Sequence, residues 1–178
     1  MGISLVRPNL VVVGVGHAGT TILTQMLGEL AWNIVGADAR YAENIKVRNA
    51  NRVALSREEL PEHLIEEIVV ELNENEPWVI KDPRFSVTLH LWKNVFNKLN
   101  SFPVLVHIAR DLHDVKSSYI KRKEIVRGCP GNMWKGASHG FTVDEQLKML
   151  CQCLSVWKEP IIDITYEQIK QATALFSV

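Results

Sequence analysis

The sequence predicts an α/β fold, a mostly parallel sheet flanked by helices in three layers, and three observations predict it. Apolar, β-branched runs at Leu10 to Val13, Trp78 to Ile80 and Val104 to Ala109 have the character of strands covered on both faces. Segments whose apolar residues recur at helical spacing alternate with them. A glycine-rich turn from Gly14 to Gly19 joins the first run to the first helical segment. With 178 residues the chain fits a single domain over 1–178, long enough to bury a core without disulfide or metal staples.

Taken in order, Leu10-Val11-Val12-Val13 is a buried strand, since the run is too short to span a bilayer and enters a turn at once. Thr20 and Thr21 open a helix with Ile22, Leu23, Met26, Leu27 and Leu30 on one face, and Asn33 to Val35 follows as a short strand. Ser56 and Glu59 have capping-box spacing ahead of an apolar face of Leu60, Leu64, Ile65, Ile68, Val69 and Leu72, which ends near Asn75. Trp78 to Ile80 is a strand, Val87 to Leu99 a helix and Val104 to Ala109 another strand. A helix over about 114–123 comes next, capped by Asp111 or Asp114.

The stretch from Val126 to Phe141, with Pro130 and glycines at 128, 131, 136 and 140, predicts a long surface loop or lid. Thr142 and Glu145 repeat the capping-box spacing before a helix carrying Leu147, Leu150, Leu154 and Trp157. Ile161 to Thr165 supplies the last strand, and a short helix closes the chain. In such a sheet, ligands bind beyond the carboxyl ends of the strands.

Twenty basic residues balance twenty acidic ones, so no global field argues for nucleic acid or an anionic membrane, and any anion site is built locally. Cys129, Cys151 and Cys153 form no C-x-x-C pair, which fits a reducing compartment. A zinc site including His139 is disfavoured because two of the cysteines lie one residue apart. Gly2 is no myristoylation signal, since Val6 stands where Ser or Thr is needed. The expectation is a cytoplasmic protein with no nucleic-acid or membrane partner.

Chemistry can sit at three strand ends. The loop Gly14-Val15-Gly16-His17-Ala18-Gly19-Thr20-Thr21 has the G-x-x-x-x-G spacing of a nucleotide P-loop, whose backbone N–H groups and helix N-terminus face an anion. Thr20 stands where a Walker sequence needs its lysine, so the loop suits a 5′-phosphate bearing a further group better than a β/γ-phosphate with magnesium. Lys81-Asp82-Pro83-Arg84 follows the strand at 78–80, with Lys81 a compact charge and Arg84 a planar fork. Arg110 leaves the strand at 104–109, and Ser118 lies one to two turns into the next helix, so both can converge on one phosphate. Each segment also has a plainer reading, as a joining turn, a solvated ion-paired turn or a helix cap with a basic face.

Together and in this order, the GVGHAGTT loop, the KDPR strand end, the RDLHDVKSS segment and Trp157 followed by Ile164-Thr165-Tyr166-Glu167 resemble the sulfotransferase superfamily, over roughly residues 10–167. The resemblance implies a P-loop-like three-layer sandwich that binds 3′-phosphoadenosine-5′-phosphosulfate and releases 3′-phosphoadenosine-5′-phosphate. The sulfuryl group would pass to a hydroxyl or amine of a small-molecule, glycan or peptide acceptor. It places Gly16, His17, Ala18, Gly19, Thr20 and Thr21 around the 5′-phosphosulfate, Arg110 and Ser118 on the 3′-phosphate, and Lys81 beside the sulfuryl group, with Tyr166 and Glu167 largely structural. Transfer of this kind rests on positioning and electrostatics and requires no metal.

The chain departs from the family pattern at several points. His17 and Ala18 stand where family loops usually carry Lys or Arg and often Ser. An imidazole near pKa ~6.5, pushed upward by a dianionic ligand, could serve as cation or acid there, or the residue could only shape the loop. Pro83 occupies the place of the histidine base of cytosolic members; because other branches of the family use a glutamate after the first helix, the resemblance implies Glu43, in the polar stretch from Arg40 to Arg48, as the candidate base, or else it is a surface ion-pair residue, with Asp82 and His113 as weaker choices. The family's terminal basic, glycine-bearing segment has no counterpart after Glu167, and Arg127, Gly128, Lys135 and Gly136 are its possible substitutes. Two other functions stay open: a catalytically silent nucleotide-binding protein of the same fold, and a small P-loop kinase or NTPase.

Overall fold

A computed structural model of the chain describes residues 7–127 and 141–176. Five strands, β1 (Leu10–Val13), β2 (Asn33–Ile34), β3 (Trp78–Lys81), β4 (Val104–Ala109) and β5 (Ile161–Thr165), form one sheet in the order β2-β3-β1-β4-β5. Every pairing in it is parallel. Helices α1 (Thr20–Glu29), α2 (Ile45–Arg57), α3 (Glu62–Glu74), α4 (Phe85–Phe96), α5 (Leu112–Arg127), α6 (Val143–Ser155) and α7 (Tyr166–Phe176) cover its two faces. The predicted α/β three-layer class is therefore the class observed.

Because side chains alternate across a strand, β1 feeds two cores. Val11 and Val13 join one cluster with Val47 and Ala50 of α2, Ile68 and Leu72 of α3, Phe85 and Trp92 of α4, and Leu150 of α6. Leu10 and Val12 join the other with Leu23 of α1, Val115 of α5 and Ile169 of α7. From β1 the chain runs to one edge and returns through β3, then crosses to β4 on the opposite side. The switch point thus lies at the carboxyl end of β1, where an open parallel sheet leaves a crevice.

The elements depart from expectation in three places. The 40–57 stretch, to which the sequence pattern assigns no element, contains α2, whose buried face of Val47, Ala50, Asn51 and Ala54 is too small and polar to stand out as an apolar stripe. Asn44 caps it, accepting from the Val47 N–H at 2.9 Å. Ser56 caps nothing: it lies in the last turn of α2 and donates to the Val53 carbonyl, and α3 starts only after Pro61. Helix α5 starts at Leu112 and runs to Arg127, so Val126 and Arg127 belong to it rather than to a loop. The remainder of the predicted lid up to residue 140, with Gly128, Lys135, Gly136, Cys129 and His139, lies outside the described residues.

Two caps are as predicted. Thr142 and Glu145 form both bonds of the capping box, and Asp111 accepts from the N–H groups of His113 and Asp114 at the start of α5. Among the described residues, no helix is long and apolar enough to cross a membrane.

Candidate functional site

The strand ends of β1, β3, β4 and β5 bring most of the predicted site residues to one edge of the sheet. Gly14 to Gly19 forms a tight turn after β1, closed by a bond from the Ala18 N–H to the Val15 carbonyl at 3.1 Å. Gly19 caps α1 with φ 103°, a conformation that L side chains rarely adopt, and a Cβ there would stand 2.7 Å from the Tyr166 ring. A glycine N-cap provides no side-chain acceptor, so the first-turn amides of Thr20, Thr21 and Ile22 have no capping side chain. This is the geometry with which a helix N-terminus receives an anion. Ala18 and Thr20 are buried beneath the loop, and Thr21 Oγ1 reaches the Tyr41 carbonyl at 3.5 Å.

Arg110 and Ser118 both arrive at His17. One Arg110 Nη donates to the His17 carbonyl at 2.8 Å, and its guanidinium stacks 4.0 Å above the centroid of Tyr166, the first residue of α7. Ser118 Oγ lies 3.4 Å from His17 Nδ1, and the neighbouring Tyr119 ring meets the imidazole edge-on at 5.5 Å. His17 itself has φ 67°, a left-handed conformation in which histidine is enriched among non-glycine residues. The hydrogen bond of Arg110 to the loop carbonyl is made through Nη1, and among the described residues its buried Nε has no partner.

Lys81 and Glu43 form a second group. Lys81 ends β3 with its ammonium 3.2 Å from Glu43 Oε1, and both side chains are buried. Burial pushes the Lys81 ammonium below the ordinary lysine range, and the Glu43 carboxylate beside it works in the opposite direction. Arg84 Nη1 stands 3.7 Å from the other Glu43 oxygen and also contacts both Asp82 oxygens, at 3.0 and 3.1 Å.

Glu43 is thus a buried ion-pair residue and not a surface one. The loop before α2 folds it inward: Asp38 accepts from the Tyr41 N–H and its own N–H bonds the Glu43 carbonyl, while Ala37 bridges Asn44. Asp82 is fully engaged by Arg84, and His113 is exposed at the start of α5. Glu167 pairs with Lys170 on the surface, and Trp157 packs in the core beside Phe96 and Phe102.

Gln146, which the sequence reading missed, links the two groups. It is buried on α6, and its Oε1 meets the Gly16 N–H at 3.5 Å and Ser86 Oγ at 3.4 Å. Ser86 in turn donates to the Pro83 carbonyl at 2.8 Å. A polar side chain four residues before Leu150, on the buried side of α6, was the available signal. Asn51 has a purely structural role on α2, its oxygen accepting from Thr88 at 2.6 Å and from the Trp92 indole at 2.7 Å.

No protein-family model matches the chain, and no curated protein does. Among solved structures, a protein from Chloroflexus aurantiacus described as a "putative kinase" aligns at TM-score 0.47 and 13% identity, over 96% of this chain and 97% of its own. A likeness that low decides nothing about the chemistry.

Proposed function

We propose that the chain binds 3′-phosphoadenosine-5′-phosphosulfate across the ends of β1 and β4 and transfers its sulfuryl group to a hydroxyl or amine acceptor. The observation that carries this reading is the convergence of Arg110 and Ser118 on His17, within the turn whose amides would hold the 5′-phosphosulfate. A doubly phosphorylated adenosine needs two anion-binding groups, and in this reading they are the α1 N-terminus and the Arg110 fork.

In this reading the acceptor oxygen or nitrogen attacks sulfur in line. A new bond to sulfur forms as the bond from sulfur to the bridging phosphate oxygen breaks. The acceptor's proton leaves to a base, for which Glu43 is the candidate, and 3′-phosphoadenosine-5′-phosphate departs. Lys81 and the loop amides stabilise the charge growing on the sulfuryl and bridging oxygens.

Thr20 in place of the Walker lysine weighs against a kinase or NTPase, as does the burial of Asp82 under Arg84. That aspartate, at the end of β3, is where a magnesium-holding carboxylate would be needed. One observation favours a binder without turnover: Lys81 and Glu43 neutralise each other in a buried pair. Incubation with donor labelled in its sulfuryl group and a panel of hydroxyl and amine acceptors separates the two. Label transferred to an acceptor supports the transferase, whereas donor binding with no transfer across the panel supports the silent binder.

A further inference from the structure

The turn after β1 has neighbours on two sides, because β1 pairs with β4 on one and with β3 on the other. Arg110 and Ser118 reach it from β4 and the helix that follows, the side on which the proposed reading puts the 3′-phosphate. Lys81 ends β3, so that reading puts the sulfuryl group on the β3 side, and there Gln146 spans the two strand-end segments. Its Oε1 lies 3.5 Å from the Gly16 N–H and 3.4 Å from Ser86 Oγ. We propose that Gln146 is a positioning residue for the sulfuryl end of the donor, a neutral bridge that fixes the β1 turn against the segment carrying Lys81 and Arg84.

The chemistry of its partners fixes which way the amide faces. The Phe141 carbonyl can only accept and the Gly16 N–H can only donate, so Nε2 donates to the first at 3.2 Å and Oε1 accepts from the second. Reversing the amide would set donor against donor and acceptor against acceptor. Ser86 has one hydroxyl hydrogen and two acceptors in reach, the Pro83 carbonyl at 2.8 Å and Oε1 at 3.4 Å, so the hydroxyl connects the amide to the turn at Pro83.

Gln146 is 4% exposed, and a buried amide keeps the conformation in which its polar atoms are partnered. Helix α6 holds it there. Gln146 donates its backbone N–H to the carbonyl of the capping residue Thr142 at 3.0 Å, and Leu150, one turn on, is buried in the core. The bridge starts where the sheet stops: the last residues paired between β1 and β3 are Val12 and Lys81, so Gly16 and Ser86 lie beyond the ladder. An uncharged side chain suits this place, since it ties the loop down without setting a negative charge beside an anion.

This inference rests on the proposed nucleotide class, and the test separates the two. Dissociation constants of 3′-phosphoadenosine-5′-phosphosulfate, 3′-phosphoadenosine-5′-phosphate and ADP are measured by calorimetry for the full chain and for Gln146→Met and Ser86→Ala. Methionine keeps an unbranched stem of similar length and lacks the amide. Ser86→Ala breaks the bridge at its other end, leaves α6 untouched and decides the matter if the first variant folds poorly.

The two 3′-phosphorylated ligands differ only at the sulfuryl end, so the ratio of their dissociation constants reports contacts there, and a general loosening of the fold leaves that ratio unmoved. The expected result is a roughly tenfold weaker hold on the phosphosulfate in Gln146→Met, and a loss in the same direction in Ser86→Ala, with the phosphate compound held within about twofold of the native chain. If the native chain prefers the 3′-phosphorylated ligands to ADP but Gln146→Met, or Ser86→Ala in its stead, does not shift the ratio against the phosphosulfate, the role of Gln146 is overturned while the nucleotide class stands. If the native chain shows no preference over ADP, both fall.

Discussion

The Lys81 ammonium sits 3.2 Å from a Glu43 carboxylate oxygen, in a site where the two side chains are 3% and 10% exposed. The pair joins the end of β3 to the loop that precedes α2, and it holds together two residues that the proposed chemistry uses separately. A buried charge that loses its partner is far more costly than a surface one.

Glu43→Gln is therefore expected to destabilise the fold by about 3–5 kcal/mol at neutral pH. Burial already lowers the Lys81 pKa from 10.5, and Glu43 opposes that shift, so the substitution lowers it further. Below the folded-state pKa the full penalty of a buried ammonium applies. As pH rises from there toward the unfolded value, the folded protein binds fewer protons than the unfolded chain and the penalty is relieved. Denaturant unfolding of both proteins from neutral to alkaline pH checks this: the deficit of the variant should shrink as pH rises.

Lys81 and Arg110 should separate in kinetics. Lys81→Met keeps the buried stem and removes the charge, and it is expected to lower kcat by about 10²-fold with little change in donor affinity, as for loss of one transition-state donor. Arg110→Ala is expected to weaken donor binding by roughly tenfold or more, with Arg110→Lys a poor rescue because an ammonium does not reproduce the planar fork over Tyr166. Steady-state rates against donor concentration, with direct donor binding alongside, distinguish the two effects.

Two loop glycines should differ in stability. Gly19→Ala meets both a φ of +103° and the Tyr166 ring at 2.7 Å, and is expected to cost about 1–3 kcal/mol. Gly16→Ala meets only Gln146 Oε1 at 3.9 Å, in ordinary backbone, and should leave stability within about 0.5 kcal/mol. Chemical denaturation of the two variants side by side measures the contrast.

The sequence made the sheet legible because β1 and residues 78–80 of β3 are apolar and buried throughout, and β4 carries a single polar residue, His107. The helix α2 was hidden for the opposite reason: Ala50, Asn51 and Ala54 bury a face that has little apolar bulk, and Asn51 is inside to satisfy Trp92 and Thr88. The Ser56–Glu59 spacing imitated a cap, but Pro61 sets the true start of α3. In the site, residues reached directly from strand ends, such as Arg110 and Lys81, could be placed from the chain alone. The Glu43–Lys81 pair and the Gln146 link could not, because each joins segments far apart in sequence, and local spacing carries no signal for such contacts.

The most direct measurement compares thermal unfolding in the presence of 3′-phosphoadenosine-5′-phosphate, ADP and AMP. A ligand at about 100 times its dissociation constant adds ~2.7 kcal/mol, which for a domain of this size raises Tm by roughly 5–10 °C. Selective stabilisation by the 3′-phosphorylated nucleotide is the predicted result, and it should vanish in Arg110→Ala. Equal stabilisation by ADP or AMP, or no stabilisation by the 3′-phosphorylated compound, would contradict the claim that Arg110 and the Gly14–Gly19 turn together hold a doubly phosphorylated adenosine.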